Sequence, residues 1–274
     1  MVDRAGRPRR IDVSVPNVAR MYDYWLGGKD NFAADRQAAD RQADAIPSLP
    51  LLSRENRRFL HRAVRFCAER GITQFLDIGS GLPARNNVHE VAESLAGEAR
   101  VVYVDNDPVV MSHAGALLAT DHTRAIYGDL TNPQEILAAV RADGLLDFTK
   151  PIALLIVAVL HYVPDDADPA GCVAVLRDAL VPGSFLVISH VQMAPGHLDG
   201  DVPISEVGHA LAEGYKGAPR GNAVRTREEI TAFFGDMKLV EPGLTDVWAW
   251  RPEINGSQLR SDVMTVLGGV AEKS

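Results

Sequence analysis

The sequence predicts an α/β protein, a mostly parallel sheet with helices on both faces and a helical cover at its N-terminal end. Two observations carry that class. From Thr73 onward, short β-branched runs alternate with segments of helical spacing, and such alternation builds right-handed βαβ crossovers and a parallel sheet. The 274 residues, 46% apolar and 23% charged, have the make-up of a globular chain able to bury one sizeable core.

The elements follow in chain order. Asn17 to Leu26, Ala33 to Ala45 and Arg54 to Glu69 have helical patterns, and Phe59, Leu60, Ala63, Val64 and Cys67 give the third a single apolar face. Thr73 to Ile78, Arg100 to Asp105, Thr123 to Tyr127, Ile152 to Val157 and Ser184 to His190 read as strands. Between them Asn87 to Leu95, Pro108 to Leu118, Pro133 to Val140 and Pro169 to Leu180 read as helices, the last with Ala170, Val173, Leu176 and Leu180 at helical spacing. Pro108 and Pro133 sit where a first helical turn tolerates a missing N–H, and Pro182-Gly183 punctuates the entry to the fifth strand. After a long Gly- and Pro-containing stretch, Thr226 followed three residues later by Glu229 predicts a capped helix start. Met237 to Val240 and Thr245 to Trp250, split by Pro242-Gly243, predict a closing hairpin. The expected organisation is a flexible tail over 1–15, a helical cover over 16–70, the main domain over 71–252 and a C-terminal tail over 253–274.

Charge and composition exclude several function classes. A net charge of -8 works against a broad polyanion-binding face, so nucleic acid is not an expected partner. Arg4, Arg7, Arg9 and Arg10 form a local basic cluster that reads as a solvated tail. Cys67 and Cys172 are far apart and lack CxxC spacing, which fits a reducing cytoplasm and supports neither a disulfide framework nor a cysteine metal site. The longest apolar run, Ile152 to Leu160, is far below the roughly 20 residues of a spanning helix, so no membrane partner is expected.

The sharpest local signal is Phe75-Leu76-Asp77-Ile78-Gly79-Ser80-Gly81, a strand running into a Gly-x-Gly turn with an acid two residues before the first glycine. A nicotinamide dinucleotide would bring its pyrophosphate against that turn, where Asp77 would repel it. S-adenosylmethionine presents a cationic amino acid portion that an acid at a strand end can help hold. Asp105 ends the second strand, where a carboxylate can accept ribose hydroxyls, and Asn106 follows it toward the adenine edge. Asp107 caps the next helix. Asp129, after the third strand, is placed to accept from an adenine amino group or to cap the turn before Pro133.

With these motifs in order, the chain resembles the class I S-adenosylmethionine-dependent methyltransferases. The resemblance covers Gly71 to about Pro252 and implies a Rossmann-like seven-stranded sheet in the order 3-2-1-4-5-7-6, with Thr245 to Trp250 as its reversed seventh strand. Tyr22-Asp23-Tyr24-Trp25-Leu26-Gly27-Gly28-Lys29-Asp30-Asn31-Phe32, Asn86-Asn87-Val88-His89-Glu90 and Tyr103-Val104-Asp105-Asn106-Asp107-Pro108 are similar to signatures of a bacterial, largely actinobacterial, S-adenosyl methyltransferase family long listed as a domain of unknown function. That likeness spans nearly the whole chain. It implies S-adenosylmethionine as cofactor and imports no substrate.

Paired glycines among three aromatics weaken a helix turn and point to a close approach of backbone to ligand. The helical stretch is accordingly expected to cover the cofactor mouth, with Tyr22 and Tyr24 lending hydroxyls or rings and Arg20, Lys29 or Asn31 meeting the methionine carboxylate, unless the aromatics only pack the cover onto the sheet. His161 after the fourth strand and His190 at the end of the fifth are expected at the carboxyl edge. Either would be a general base for a hydroxyl acceptor, whereas for an amine or thiolate each is a hydrogen-bonded wall residue. No third ligand accompanies them, so no metal is expected. The fourth strand lacks a following Asn or Asp with Pro-Pro and an aromatic, the arrangement that similar methyltransferases use on exocyclic amino groups of bases, so the resemblance disfavours DNA adenine methylation. No cysteine lies at a strand tip, which disfavours cytosine C5 chemistry. The expected function is methyl transfer to a small molecule, with Val191 to Ala223 and the cover forming the acceptor wall. The alternative is a non-catalytic cofactor-binding sensor or partner-binding protein.

Overall fold

The computed structural model describes residues 12–117, 120–193, 223, 225–252 and 264–274. Three helices come first: α1 (Val18–Trp25), α2 (Ala33–Ala45) and α3 (Leu49–Ala68). Asn17 caps α1 by accepting from the Ala19 amide at 2.8 Å. The buried Asp35 ties the two helix starts together, accepting from the Asn17 amide at 2.8 Å and the Phe32 amide at 2.8 Å and pairing with Arg20 at 2.9 Å.

The predicted alternation then follows as β1 (Gln74–Ile78), α4 (Val88–Ala96), β2 (Arg100–Asp105), α5 (Pro108–Leu117), β3 (Thr123–Tyr127), α6 (Pro133–Asp143), β4 (Ala153–Val157), α7 (Pro169–Asp178) and β5 (Phe185–Met193). A single-turn 3₁₀ helix, Leu160–Tyr162, follows β4. The capping box read at Thr226 and Glu229 opens α8 (Arg227–Ala232), with reciprocal bonds of 3.2 and 2.7 Å. Three strands complete the sheet: β6 (Lys238–Leu239), β7 (Thr245–Asp246) and β8 (Met264–Glu272).

The strands lie in the order β3-β2-β1-β4-β5-β8-β6, with β7 also on β8. β1 to β5 are parallel, and β8 runs antiparallel to β5 from Phe185↔Glu272 to Met193↔Met264. The expected order therefore holds position for position, but a different segment fills the reversed position. Met237 to Val240 and Thr245 to Trp250 do not pair with each other; each contributes two residues that pair with β8. Residues 264–272, read as tail, are an internal strand of the sheet. Gly268 and Gly269 hid it, because glycine weakens a strand in isolation. Packing requires them: a Cβ at Gly268 would stand 2.8 Å from the Phe59 ring, and one at Gly269 3.1 Å from that of Phe234.

Two hydrophobic clusters sandwich the sheet. Alternation along β1 sends Phe75 into the cluster with α3 and α4, and Leu76 and Ile78 into the one with α6 and α7. α3 is one layer of the domain as well as part of a cover, since Phe59, Ala63 and Phe66 share a cluster with Phe75, Leu155 and Phe185. Trp250, beyond β7, is fully buried there, edge-on to Phe59 and Phe66 at 5.4 and 5.6 Å. The expected tail over 1–15 and the expected acceptor wall over Val191 to Ala223 fall mostly outside the described residues, and Val191 to Met193 belong to β5 instead.

Candidate active site

A cleft of about 480 Å³ opens at the carboxyl ends of β1 to β4, roofed by α1 and α3. This is where open α/β sheets bind ligands. Tyr22, Asp77, Gly79, Gly81, Asp105, Asn106 and Asp129 all face it, so seven of the expected site residues meet in one place.

Asp77 is the next-to-last residue of β1 and lies on the α3 side by alternation. The residue is 4% exposed, and its carboxyl takes no hydrogen bond from any described residue. Burial raises its pKa from 3.8 to about 7, against the favourable charge of Arg57 and with the nearby Asp105 pushing the same way as burial. Asp105 accepts from the Gly81 amide at 2.9 Å through one oxygen and from the Asp107 amide at 2.8 Å through the other. Burial lifts its pKa to about 6, partly offset by these bonds. Asp107 accepts from the Val109 amide at 2.6 Å and so caps α5 as read. Asn106 donates to Asp129 at 3.2 Å, and Asp129 accepts from the Thr131 amide and hydroxyl at 3.0 and 2.8 Å, so it closes its turn while facing the cleft. Gly79 and Gly81 have φ of +70° and +66°, the left-handed conformation for which glycine is suited.

Four expected residues of the helical cover lie elsewhere. Asn31 donates to Asp23 at 2.8 Å and to the Gly28 carbonyl at 3.2 Å, and accepts from Arg36 at 3.1 Å, away from the cleft wall. Gly28 admits the Asp23 carboxylate, which fills the space a Cβ would take, and Gly27 adopts a left-handed φ of +83°; neither glycine lines the cleft. Lys29 is exposed, Arg20 is committed to Asp35, and Tyr24 donates to Asp40 at 3.0 Å.

His190 does not reach the sheet edge, because β5 continues to Met193 and pairs His190 with Leu267. Its ring is fully buried, with Nδ1 2.6 Å from the Val191 carbonyl and Nε2 3.0 Å from the Arg225 guanidinium. An arginine only donates, so Nε2 accepts and Nδ1 carries the proton. Burial first, and then Arg225, lower its pKa to about 4. His161 is 4% exposed, 5.5 Å from the His190 ring, and Nδ1 has no partner among the described residues. Burial, His190 and Arg225 hold its pKa well below 6.5. The two histidines meet, as adjacent strands imply, but neither lines the cleft.

Sequence reasoning missed Asn56, Arg57 and Tyr127, which line the cleft. Arg57 donates to the Asn86 carbonyl at 3.3 Å, while its Nε is buried without a partner among the described residues. Asn56 was detectable as a polar residue on α3's apolar stripe, three and four positions before Phe59 and Leu60.

The described lining carries four carboxyl groups, Asp77, Asp105, Asp107 and Asp129, against the single guanidinium of Arg57. Such a field selects a cationic ligand over a pyrophosphate. A parallel sheet with a reversed strand beside the fifth, and acids at successive strand tips, defines a methyltransferase-type domain. The family model described as S-adenosyl methyltransferase matches residues 4–274, and the chain belongs to that family. It is a methyltransferase whose cofactor is S-adenosylmethionine. The crystal structure of a candidate methyltransferase from Thermobifida fusca is 41% identical, with TM-score 0.84 over 96% of this chain and 97% of that one. A DUF574 family protein from Streptomyces avermitilis is 38% identical, with TM-score 0.88 over 97% of this chain and 100% of that one. Comparison with curated proteins finds no match.

Proposed function

We propose that the protein methylates a small-molecule acceptor seated beside the tip of β4. The observation that carries this reading is the Asp77 carboxyl, buried, unbonded and facing a cleft whose other charges fit a cationic cofactor. When bound, S-adenosylmethionine supplies an electrophilic methyl group on a sulfonium. Asp77 offers a carboxylate to the ammonium, and Arg57 a guanidinium to the methionine carboxylate. Asp105 keeps lone pairs for the ribose hydroxyls beside the two amides it already accepts. Asn106 and Asp129 offer a donor and an acceptor to the adenine edge. Gly79 and Gly81 let turn backbone approach the ligand, and Tyr22 closes the roof.

On the β4 side the described wall is Val157, Ala158, Val159, Tyr162 and Val163, which suits an acceptor with an apolar body. With His161 and His190 buried outside the cleft, the reading places catalysis in alignment of the acceptor and exclusion of water, not in an imidazole base. This fits an amine or thiolate better than a hydroxyl. A recessed cleft and a net charge of -8 speak against nucleic acid. Among the described residues no helix is long and apolar enough to cross a membrane, no cluster of residues suits a metal ion, and Cys67 and Cys172 are buried and form no disulfide, which suits the cytoplasm.

Calorimetry with S-adenosylmethionine, its demethylated product and NAD, followed by transfer of labelled methyl to fractionated metabolite extracts, tests the reading. Binding of the first two and label in the small-molecule fraction are expected. Preference for NAD, or label only in nucleic acid or protein, would overturn it.

A further inference from the structure

The residue after β4 has an unusual backbone. Ala158 has φ of +57°, a left-handed conformation that an L-residue with a Cβ adopts only under constraint. Its amide donates to Ser189 twice, to Oγ at 2.9 Å and to the carbonyl at 3.2 Å. Ser189 lies opposite Val157 on β5 and is fully buried. Its hydroxyl donates to Asn56 Oδ1 at 2.6 Å, and Asn56 Nδ2 donates to the Tyr22 hydroxyl at 2.9 Å. Tyr22 in turn donates to the Ser53 carbonyl at 2.9 Å.

Every proton in this chain points the same way, from β4 toward the roof. A side-chain amide is what the middle position needs: it must accept from a serine and donate to a tyrosine at once. The bend at Ala158 has a consequence on its other side. It seats the Val159 side chain against Gly79, in the space a Cβ there would occupy, so Val159 bears directly on the glycine turn. Tyr22, Asn56, Ala158, Val159 and Gly79 all face the cleft.

The geometry points to Asn56 as a positioning residue: through Ser189 it holds Ala158 left-handed, and so fixes the β4 tip and, through Val159, the glycine turn in the form that receives S-adenosylmethionine. The inference rests on the cofactor reading above. It assigns the buried amide of α3 to preorganisation of the β1 and β4 tips and not to the packing of α3, because its hydrogen bonds run to Tyr22 and, through Ser189, to Ala158, and both of these line the cleft.

The test is a cycle in the full chain, with Asn56→Ala and the milder Ser189→Ala each made in two backgrounds, native and Ala158→Gly. Glycine holds positive φ without support. In the native background each replacement is expected to weaken binding of S-adenosylmethionine and its demethylated product by about tenfold. In the glycine background the same replacements should cost less than about threefold. Hydrogen exchange adds a readout that a packing role would not move: in ligand-free Ser189→Ala the Ser80 and Gly81 amides should exchange faster, while those of Leu155 and Val187 keep their rates. Equal losses in both backgrounds, or no loss in the native one, would overturn the proposal and leave the cofactor reading standing. Failure of the unmodified protein to bind S-adenosylmethionine would overturn both.

Discussion

Replacing Asp77 by Asn should make the ligand-free protein more stable and the cofactor complex weaker. The folded pKa of about 7 against an ordinary 3.8 means that the fold binds this proton more tightly than the unfolded chain does. For an acid raised in this way, stability falls as pH climbs from about 4 to about 7, and the whole penalty is present above 7. At about 1.4 kcal/mol per tenfold change in proton affinity, the carboxylate costs roughly 2 kcal/mol at pH 5 and roughly 4 at pH 8. The Asn side chain carries no such charge, so the variant's advantage over the native protein should grow by roughly 2 to 3 kcal/mol between these pH values. Comparing two pH values cancels whatever the amide itself costs. Denaturant unfolding of both proteins at pH 5 and pH 8 measures it directly. Binding should move the opposite way. A ligand ammonium lowers the Asp77 pKa in the complex, so affinity in the native protein should drop by up to about tenfold per pH unit below 7, with uptake of ligand releasing close to one proton at pH 6. Asn at this position should abolish that proton release in calorimetry. A variant whose stability difference is the same at pH 5 and pH 8, or whose binding still releases the proton, would refute the assignment of a strained ionised carboxyl to this site.

Four further outcomes follow from the same geometry. Asp105→Ala removes a charged acceptor, each such bond being worth about 1.5 to 3 kcal/mol, and should weaken S-adenosylmethionine and adenosine alike by tenfold or more in calorimetry. Arg57→Leu should weaken S-adenosylmethionine while leaving 5′-methylthioadenosine, which has no carboxylate, nearly unaffected. Asn31→Ala breaks the loop held by Asp23 and should cost about 1 to 2 kcal/mol in denaturant unfolding, with cofactor affinity of the folded protein unchanged. Ending the chain at Pro252 removes β8, the partner of β5, β6 and β7, and should leave no cooperative thermal transition.

Much of the fold was legible because local and tertiary demands coincide. β1, β2 and β3 begin and end within a residue of where β-branched runs begin and end, and the acids at Asp77 and Asp105 fall at strand tips because strand and turn are adjacent in sequence. Where the demands separate, the reading failed. β8 carries two glycines whose reason is the Phe59 and Phe234 rings, contributed by α3 and by the turn after α8, both distant in sequence. His190 was placed at an edge because the apolar run stops there, yet β5 continues through Val191, Gln192 and Met193 by pairing with β8, a partner not recognised as a strand.

The residues that looked most functional and those that the geometry favours differ in one physical respect. The segment from Tyr22 to Phe32 breaks helical rules with its paired glycines, but the break is satisfied inside the segment: Asp23 receives the Asp30 amide at 3.0 Å and the Asn31 side chain at 2.8 Å. A closed motif of that kind builds structure. At the cleft the violations stay open or are satisfied only across distant elements. Among the described residues, Asp77 is a buried acid with no bond, Arg57 Nε a buried donor with none, and Ala158 a left-handed alanine held through Ser189 and Asn56 from two other elements. Unsatisfied groups cost stability, so a fold retains them together only where something else completes them. Four carboxyl groups and one guanidinium around a single cavity define what that completion must be: a ligand positive overall, with an anionic group of its own. S-adenosylmethionine, with its sulfonium, ammonium and carboxylate, meets that description, and a pyrophosphate-bearing dinucleotide does not.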